Sequence, residues 1–295
     1  VLRLMNYRHH FHAGNFADVL KHAVLVRLIL ALQRKEKGFL YLDTHAGRGR
    51  YDLAEAATGD SLARQPEWPE GIGRLWQRQG LPVEIESYLS WVRRCDQGSG
   101  ALPDGAAPRF YPGSPWLAHA LARPQDRLVL IEKHPDELDR LDIEFGREAR
   151  ASVRAGDGYA ALRAELPAKE RRALVLIDPP FEAQDEFAQM AAALQEGLRR
   201  MPSTVFALWY PLTQRARVDG FFDSLAALRL PPTLAVELSV AGEFSALRMR
   251  GCGVVVVNPP WQIESELRRV VEVLAPILAQ EPGAAGRVDW LVPES

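Results

Sequence analysis

Short, continuously apolar runs alternate along this chain with longer stretches whose apolar positions recur three and four residues apart. The most compact run is Ala173-Leu174-Val175-Leu176-Ile177, and it ends in Asp178-Pro179-Pro180-Phe181. Consecutive apolar residues closed by proline predict a strand buried on both faces, as in a parallel sheet covered by helices. Neither proline can continue the strand, so the chain leaves the sheet at Asp178. Similar runs at 39–43, 127–132, 152–155, 204–210, 234–240 and 252–258 predict further strands. Helical spacing predicts helices over 16–33, 115–121, 135–147, 159–166, 185–199, 211–228 and 263–278, with Asn15 and Ser114 as N-caps of the first two. No helix separates the last two strands, so they are expected as antiparallel neighbours. The pattern describes an α/β fold built on a seven-stranded sheet with an antiparallel terminal hairpin.

Between 51 and 109 the alternation lapses into a stretch rich in Trp, Pro, Glu and Arg, with a helix expected around 83–94. This is longer than a helix-to-strand connection needs. It is expected as an inserted, mainly helical subdomain within a domain formed by 5–50 and 110–295. From Arg50 to Arg109 it carries seven basic and nine acidic residues, so it has no electrostatic footprint for RNA. The whole chain, at net charge −2, has none either, and any RNA-binding surface must be local.

Cys95 and Cys252 are too far apart in sequence for a metal-ligand spacing or a disulfide framework, which fits a reducing cytoplasm. The apolar stretch 19–32 is interrupted by Lys21, His22 and Arg27, so no membrane span is expected, and no signal-peptide pattern precedes it. The early segment Tyr7-Arg8-His9-His10-Phe11-His12-Ala13-Gly14-Asn15 is rich in histidine. It has no Cys or carboxylate at a suitable spacing, so no metal is expected. Lys21 and His22, taken alone, read as solvated helix residues.

Four predicted strands end in acids: Asp43, Glu132, Asp157 and Asp178. The first runs into Thr44-His45-Ala46-Gly47-Arg48-Gly49, a turn that lets backbone approach a nucleotide-like ligand, with a helix N-terminus expected to follow. Acids at the carboxyl ends of strands beside a glycine-rich turn are how nucleotide-binding α/β folds grip a ribose. Glu132 is then expected on the ribose diol and Asp157 on the adenine amine; the bland alternative is that these acids cap the helices that follow. Asp178, the Pro179 carbonyl and the Phe181 ring would hold and stack an exocyclic amine for methylation. A second loop, Asn258-Pro259-Pro260-Trp261, competes for that role. It follows a strand inserted antiparallel and is expected at the opposite edge of the sheet.

The pieces Tyr7-Arg8-His9, Phe11 to Asn15, Ala17 to His22, Leu42 to Gly47, Tyr111 to Pro115, Asp157-Gly158, Asp178-Pro179-Pro180, Leu208 to Pro211 and Asn258 to Trp261 together resemble one family, the bacterial 23S ribosomal RNA adenine-N6-methyltransferases of the RlmJ type. The resemblance implies a Rossmann-like class I methyltransferase that uses S-adenosylmethionine on adenine 2030 of protein-free or early-assembly 23S rRNA. A cytoplasmic monomer without metal is expected. By resemblance Lys21, His22, His45, Gly47, Ser114, Glu132, Asp157, Gly158 and Asp178 line the cofactor pocket. Asp178, Pro179 and Phe181 act on the base, and Tyr7, Arg8 and His9 lie on the substrate side. Phe181 stands where the family commonly has Tyr, which keeps the stacking face. A DNA adenine-N6-methyltransferase and a non-catalytic nucleic-acid-binding protein are the alternatives.

Overall fold

The computed structural model describes residues 11–57, 65–100 and 105–294. The chain opens with helix α1 (Phe16–Gln33), β1 (Leu40–Asp43), a short β2 (Arg50–Asp52) and α2 (Leu53–Ala57). A 3₁₀ turn at Trp68–Glu70 precedes α3 (Gly73–Trp76) and α4 (Val83–Gly98), and β3 (Phe110–Pro112) leads into α5 (Ser114–Leu121). Regular alternation follows with β4 (Arg127–Glu132), α6 (Pro135–Phe145), β5 (Ala151–Ala155), α7 (Gly158–Glu165), β6 (Ala173–Ile177), α8 (Glu186–Arg200), β7 (Val205–Pro211) and α9 (Arg215–Ala226). The chain closes with β8 (Thr233–Ser239), β9 (Gly251–Val257), α10 (Ile263–Leu278) and β10 (Ala285–Val292).

The central sheet runs in the order β10-β8-β9-β7-β6-β1-β4-β5. Pairing is parallel from β5 through β7. β9 then enters antiparallel between β7 and β8, as the absence of an intervening helix predicts. Eight strands stand where the sequence pattern predicts seven. The extra one, β10, pairs antiparallel with β8 at the sheet edge, and of its eight residues only Val288 is buried. An edge strand tolerates outward charges such as Arg287 and Asp289, so its apolar alternation is too weak to read in one dimension.

Successive residues of the inner strands pack on opposite faces. Leu40, Leu42, Val175 and Ile177 join one core, and Tyr41, Leu174 and Leu176 join the other. Helix α1 is apolar on nearly every side and is buried on nearly every side, packed against β9, α4, α5 and α10. The capping expectation at its start holds: the Asn15 side chain accepts the N–H groups of Ala17 and Asp18 at 3.0 Å each. The segment after β2 returns through β3, and these two strands pair antiparallel, Tyr51 opposite Tyr111. Within it, Ile72, Leu75, Ile85, Tyr88, Leu89 and Val92 bury into the same core that holds α1.

Candidate active site

Parallel pairing aligns the ends of β4, β1 and β6 at one edge of the sheet, with Leu42 opposite both Val129 and Val175. Asp43, Glu132 and Asp178 therefore emerge side by side. Asp157 joins them after β5, whose Ala155 pairs with Glu132.

Asp178 is held from across the sheet by α1. Lys21 is 5% exposed, and its ammonium donates to Asp178 Oδ2 at 2.5 Å and to Asp18 Oδ1 at 2.7 Å. Burial alone would lower the lysine pKa, but the fields of Asp178 and Asp18 raise it, so Lys21 stays charged. Asp178 Oδ1 has no hydrogen-bond partner among the described residues. Beyond the two prolines, Phe181 adopts a left-handed backbone (φ 52°), unusual for a bulky side chain. Its ring lies between Phe187 and Trp209, with centroids at 5.0 and 5.7 Å and tilts of 65° and 70°.

Asp43 is fully buried and accepts the hydroxyls of Tyr41 and Ser114 at 2.7 Å each. Burial pushes its pKa up to about 6 against the pull of those two hydrogen bonds. Ser114 is the first residue of α5 and Gly113 occupies the cap position, which corrects the expected capping role. The serine hydroxyl is turned instead to the β1 carboxylate. Thr44 donates its hydroxyl proton to the Leu176 carbonyl at 2.9 Å, so the 2.8 Å contact between Thr44 Oγ1 and His45 Nδ1 assigns the ring proton to Nδ1. Burial lowers the His45 pKa to about 4, which leaves a neutral imidazole whose Nε2 is an acceptor.

Gly47 takes φ 61° and donates its backbone N–H to Glu132 Oε2 at 2.7 Å. Glu132 Oε1 accepts from Lys133 and His134 at 2.8 and 2.7 Å, and burial raises the glutamate pKa despite these bonds. One carboxylate thus ties the β1 and β4 loops together. A helix is expected directly after the Gly-x-Gly turn, but β2 stands there, drawn out by its pairing with β3. Asp157 caps α7, accepting from Tyr159 and Ala160, and its Oδ2 lies 3.4 Å from Lys133 Nζ. Burial opposes ionisation here, but the Ala160 N–H and Lys133 outweigh it and lower the pKa. At Asp157 the bland capping reading is met, and the carboxylate remains half exposed at the site's rim. A Cβ on Gly158 would stand 2.0 Å from the Thr44 carbonyl, so glycine is what lets α7 begin against the β1 loop.

Lys21 and His22, solvated on a local reading, are both buried because neighbouring helices wrap α1. His22 joins a buried chain: Nδ1 lies 2.8 Å from Tyr111 Oη, which lies 2.9 Å from Tyr88 Oη. Tyr7, Arg8 and His9 lie outside the described residues. The rival Asn258 follows β9, whose antiparallel register turns it to the opposite sheet edge. There its amide donates to the carbonyls of Pro202 and Thr204 at 2.8 Å each, and Trp261 is exposed. Sequence reasoning missed Asp18, Tyr41 and Trp209. Asp18 was within reach as the i−3 partner of Lys21, and Tyr41 as the i−2 neighbour of Asp43 on the same strand face. Among the described residues no cluster of histidine, cysteine and carboxylate groups has a metal-holding arrangement, and no helix is long and apolar enough to cross a membrane.

The family described as Ribosomal RNA large subunit methyltransferase D, RlmJ, matches residues 36–292. A protein of Escherichia coli K12 named Ribosomal RNA large subunit methyltransferase J is 40% identical over 291 residues, covering 99% of this chain and 100% of its own length. Its namesake from Haemophilus influenzae is 38% identical over the same span. A crystal structure of a Legionella pneumophila protein, 32% identical, superposes with a TM-score of 0.82 over 94% of this chain and 98% of that one.

Proposed function

We propose that this chain, which belongs to the RlmJ family of ribosomal RNA large subunit methyltransferases, transfers a methyl group from S-adenosylmethionine to the N6 amine of an adenine in 23S rRNA. One observation carries the reading: at the edge where the β1, β4 and β5 loops converge, Asp178 is locked by Lys21 through one oxygen and keeps the other open. The reading extends to protein-free or early-assembly rRNA as substrate and to a monomer working in the cytoplasm. It also keeps the division into a methyltransferase domain and a 51–109 insertion.

The residues present suit the cofactor. The left-handed turn at Gly47 and the close approach of Gly158 to the Thr44 carbonyl bring the β1 loop and the start of α7 together beside the strand-end acids. Glu132, the neutral His45 and the capping Asp157 supply acceptors for hydroxyls and an amine. When bound there, S-adenosylmethionine supplies an electrophilic methyl group that needs no further activation.

The protein's task is then to make a poor nucleophile attack. An adenine N6 lone pair is delocalised into the ring. Asp178 Oδ1 and the Pro179 carbonyl are the acceptors for its two N–H donors, and hydrogen bonds in those directions favour a pyramidal nitrogen with a free lone pair. The Lys21 ammonium fixes the carboxylate so that this geometry is set before the base arrives. Phe181, braced by Phe187 and Trp209, offers the stacking surface for a base flipped out of the RNA. The charge developing on nitrogen meets two oxygens, and the proton leaves toward Asp178 or solvent.

Labelled S-adenosylmethionine and deproteinised 23S rRNA test the reading, with the modified base mapped. Label on N6 of one adenine, lost in Asp178→Ala and kept in Asn258→Ala, is the expected result. Label on cytosine or guanine, or transfer that survives Asp178→Ala, overturns it.

A further inference from the structure

The connection from β8 to β9 has no part in the site as described. Because β8 runs parallel to β7 and β9 returns between them, this connection emerges at the sheet edge that carries Asp178. Its root is fixed to the end of β7: the Arg250 N–H donates to the Leu212 carbonyl at 3.1 Å, and the Leu212 N–H donates to Gly251 at 2.9 Å. Gly242 donates to the Pro282 carbonyl at 3.0 Å, and Leu247 and Met249 pack against the core. The tip is a closed turn, with Ser245 N–H on the Gly242 carbonyl and Leu247 N–H on Ser245 Oγ, both at 3.1 Å.

On this fixed turn Phe244 is 99% exposed. Arg248 is also exposed and makes no ion pair among the described residues. A single exposed apolar residue is ordinary on a protein surface. A phenylalanine held out in full by a turn whose Leu247 and Met249 pack against the core, beside an arginine with no carboxylate, is the combination that single-stranded nucleic acid meets: a face for a base and a cation for a phosphate. Position agrees. β9 lies two strand spacings from β6, about 10 Å, which is the rise of about three stacked nucleotides.

We propose that Phe244 is a stacking platform for an unpaired base flanking the target adenine, with Arg248 on a neighbouring phosphate. The inference rests on the rRNA-methyltransferase reading and adds where the substrate strand runs: from the Asp178 loop across the end of β7 to the β8–β9 turn.

Three variants test it: Phe244→Ala, Phe244→Leu and Phe244→Trp. Alanine is expected to raise KM for deproteinised rRNA about 5- to 100-fold, the loss of one base–aromatic stack, with kcat and S-adenosylmethionine affinity unchanged. Tryptophan is expected to restore KM. Leucine, apolar but without a π-face, is expected not to. Binding of a short oligoadenylate to Phe244→Trp is expected to quench tryptophan emission beyond the quenching in the wild type. An unchanged KM in Phe244→Ala, a leucine variant as good as tryptophan, or no extra quenching overturns the proposal. If the wild-type protein transfers no methyl group to rRNA, the functional reading fails, and the quenching result alone then decides whether Phe244 stacks on a base.

Discussion

Replacing Asp43 with asparagine is expected to stabilise the protein at neutral pH while weakening its cofactor site. Asp43 is fully buried, and burial lifts its pKa from 3.8 to about 6. Between those values the folded protein holds a proton that the unfolded chain has released, so stability falls as pH rises from about 4 to about 6 and the penalty is complete above that. At 1.36 kcal/mol per pKa unit the penalty is roughly 3 kcal/mol. His45, next but one in sequence, acts in the opposite sense. Burial lowers its pKa from 6.5 to about 4, so the unfolded chain binds the extra proton and stability rises with pH across much the same window, again by roughly 3 kcal/mol. In the wild type the two slopes nearly cancel. Asp43→Asn removes the first and exposes the second. The gain is expected to approach roughly 3 kcal/mol at about pH 7.5 and to vanish at about pH 4. Any cost of re-pairing the Tyr41 and Ser114 hydroxyls is the same at both pH values, so the difference between them isolates the charge. Urea unfolding of both proteins across this range is the assay. A stability change in the variant that does not vary with pH refutes the reasoning. Titration calorimetry should show weaker S-adenosylmethionine binding, because Ser114 and the β1 loop lose a charged anchor.

Lys21→Met leaves Asp18 and Asp178 facing each other without their shared cation, and is expected to cost about 3–5 kcal/mol in denaturant unfolding and to abolish methyl transfer. An unchanged unfolding midpoint would show that the pair is not a buried charge bridge. Gly158→Ala puts a methyl group 2.0 Å from the Thr44 carbonyl, so α7 must move. Calorimetry should report weaker S-adenosylmethionine binding, and unfolding a loss of about 1–3 kcal/mol. Asn258→Ala removes two hydrogen bonds to the Pro202 and Thr204 carbonyls. Each is worth about 1 kcal/mol in unfolding, while transfer should be unchanged.

Much of this protein is legible in one dimension because its periods are clean. The apolar runs of β4 and β6 and the spacing of α10 carry through to the structure with little change, since a buried parallel strand and a core-facing helix each impose a strict pattern. The reversed position of β9 followed from the missing helix before it, and from that came the separation of Asp178 from Asn258. The order of strand ends likewise let the acids be grouped before any distance was known.

What the sequence alone did not determine is the state of each of those groups. Lys21 and His22 look like solvated positions on a helix, and only the packing of α4, α5 and α10 around α1 buries them, sending one to Asp178 and the other to Tyr111. Ser114 sits where a cap is expected, but the approach of α5 to β1 turns its hydroxyl onto Asp43. The pKa values that make Asp43 and His45 oppose each other depend on burial, and β10 is a strand only because β8 offers it an open edge. Local periodicity specifies which elements form and in what order. Desolvation and hydrogen-bond partners arise from contacts far apart in the chain, and those were set by the tertiary structure.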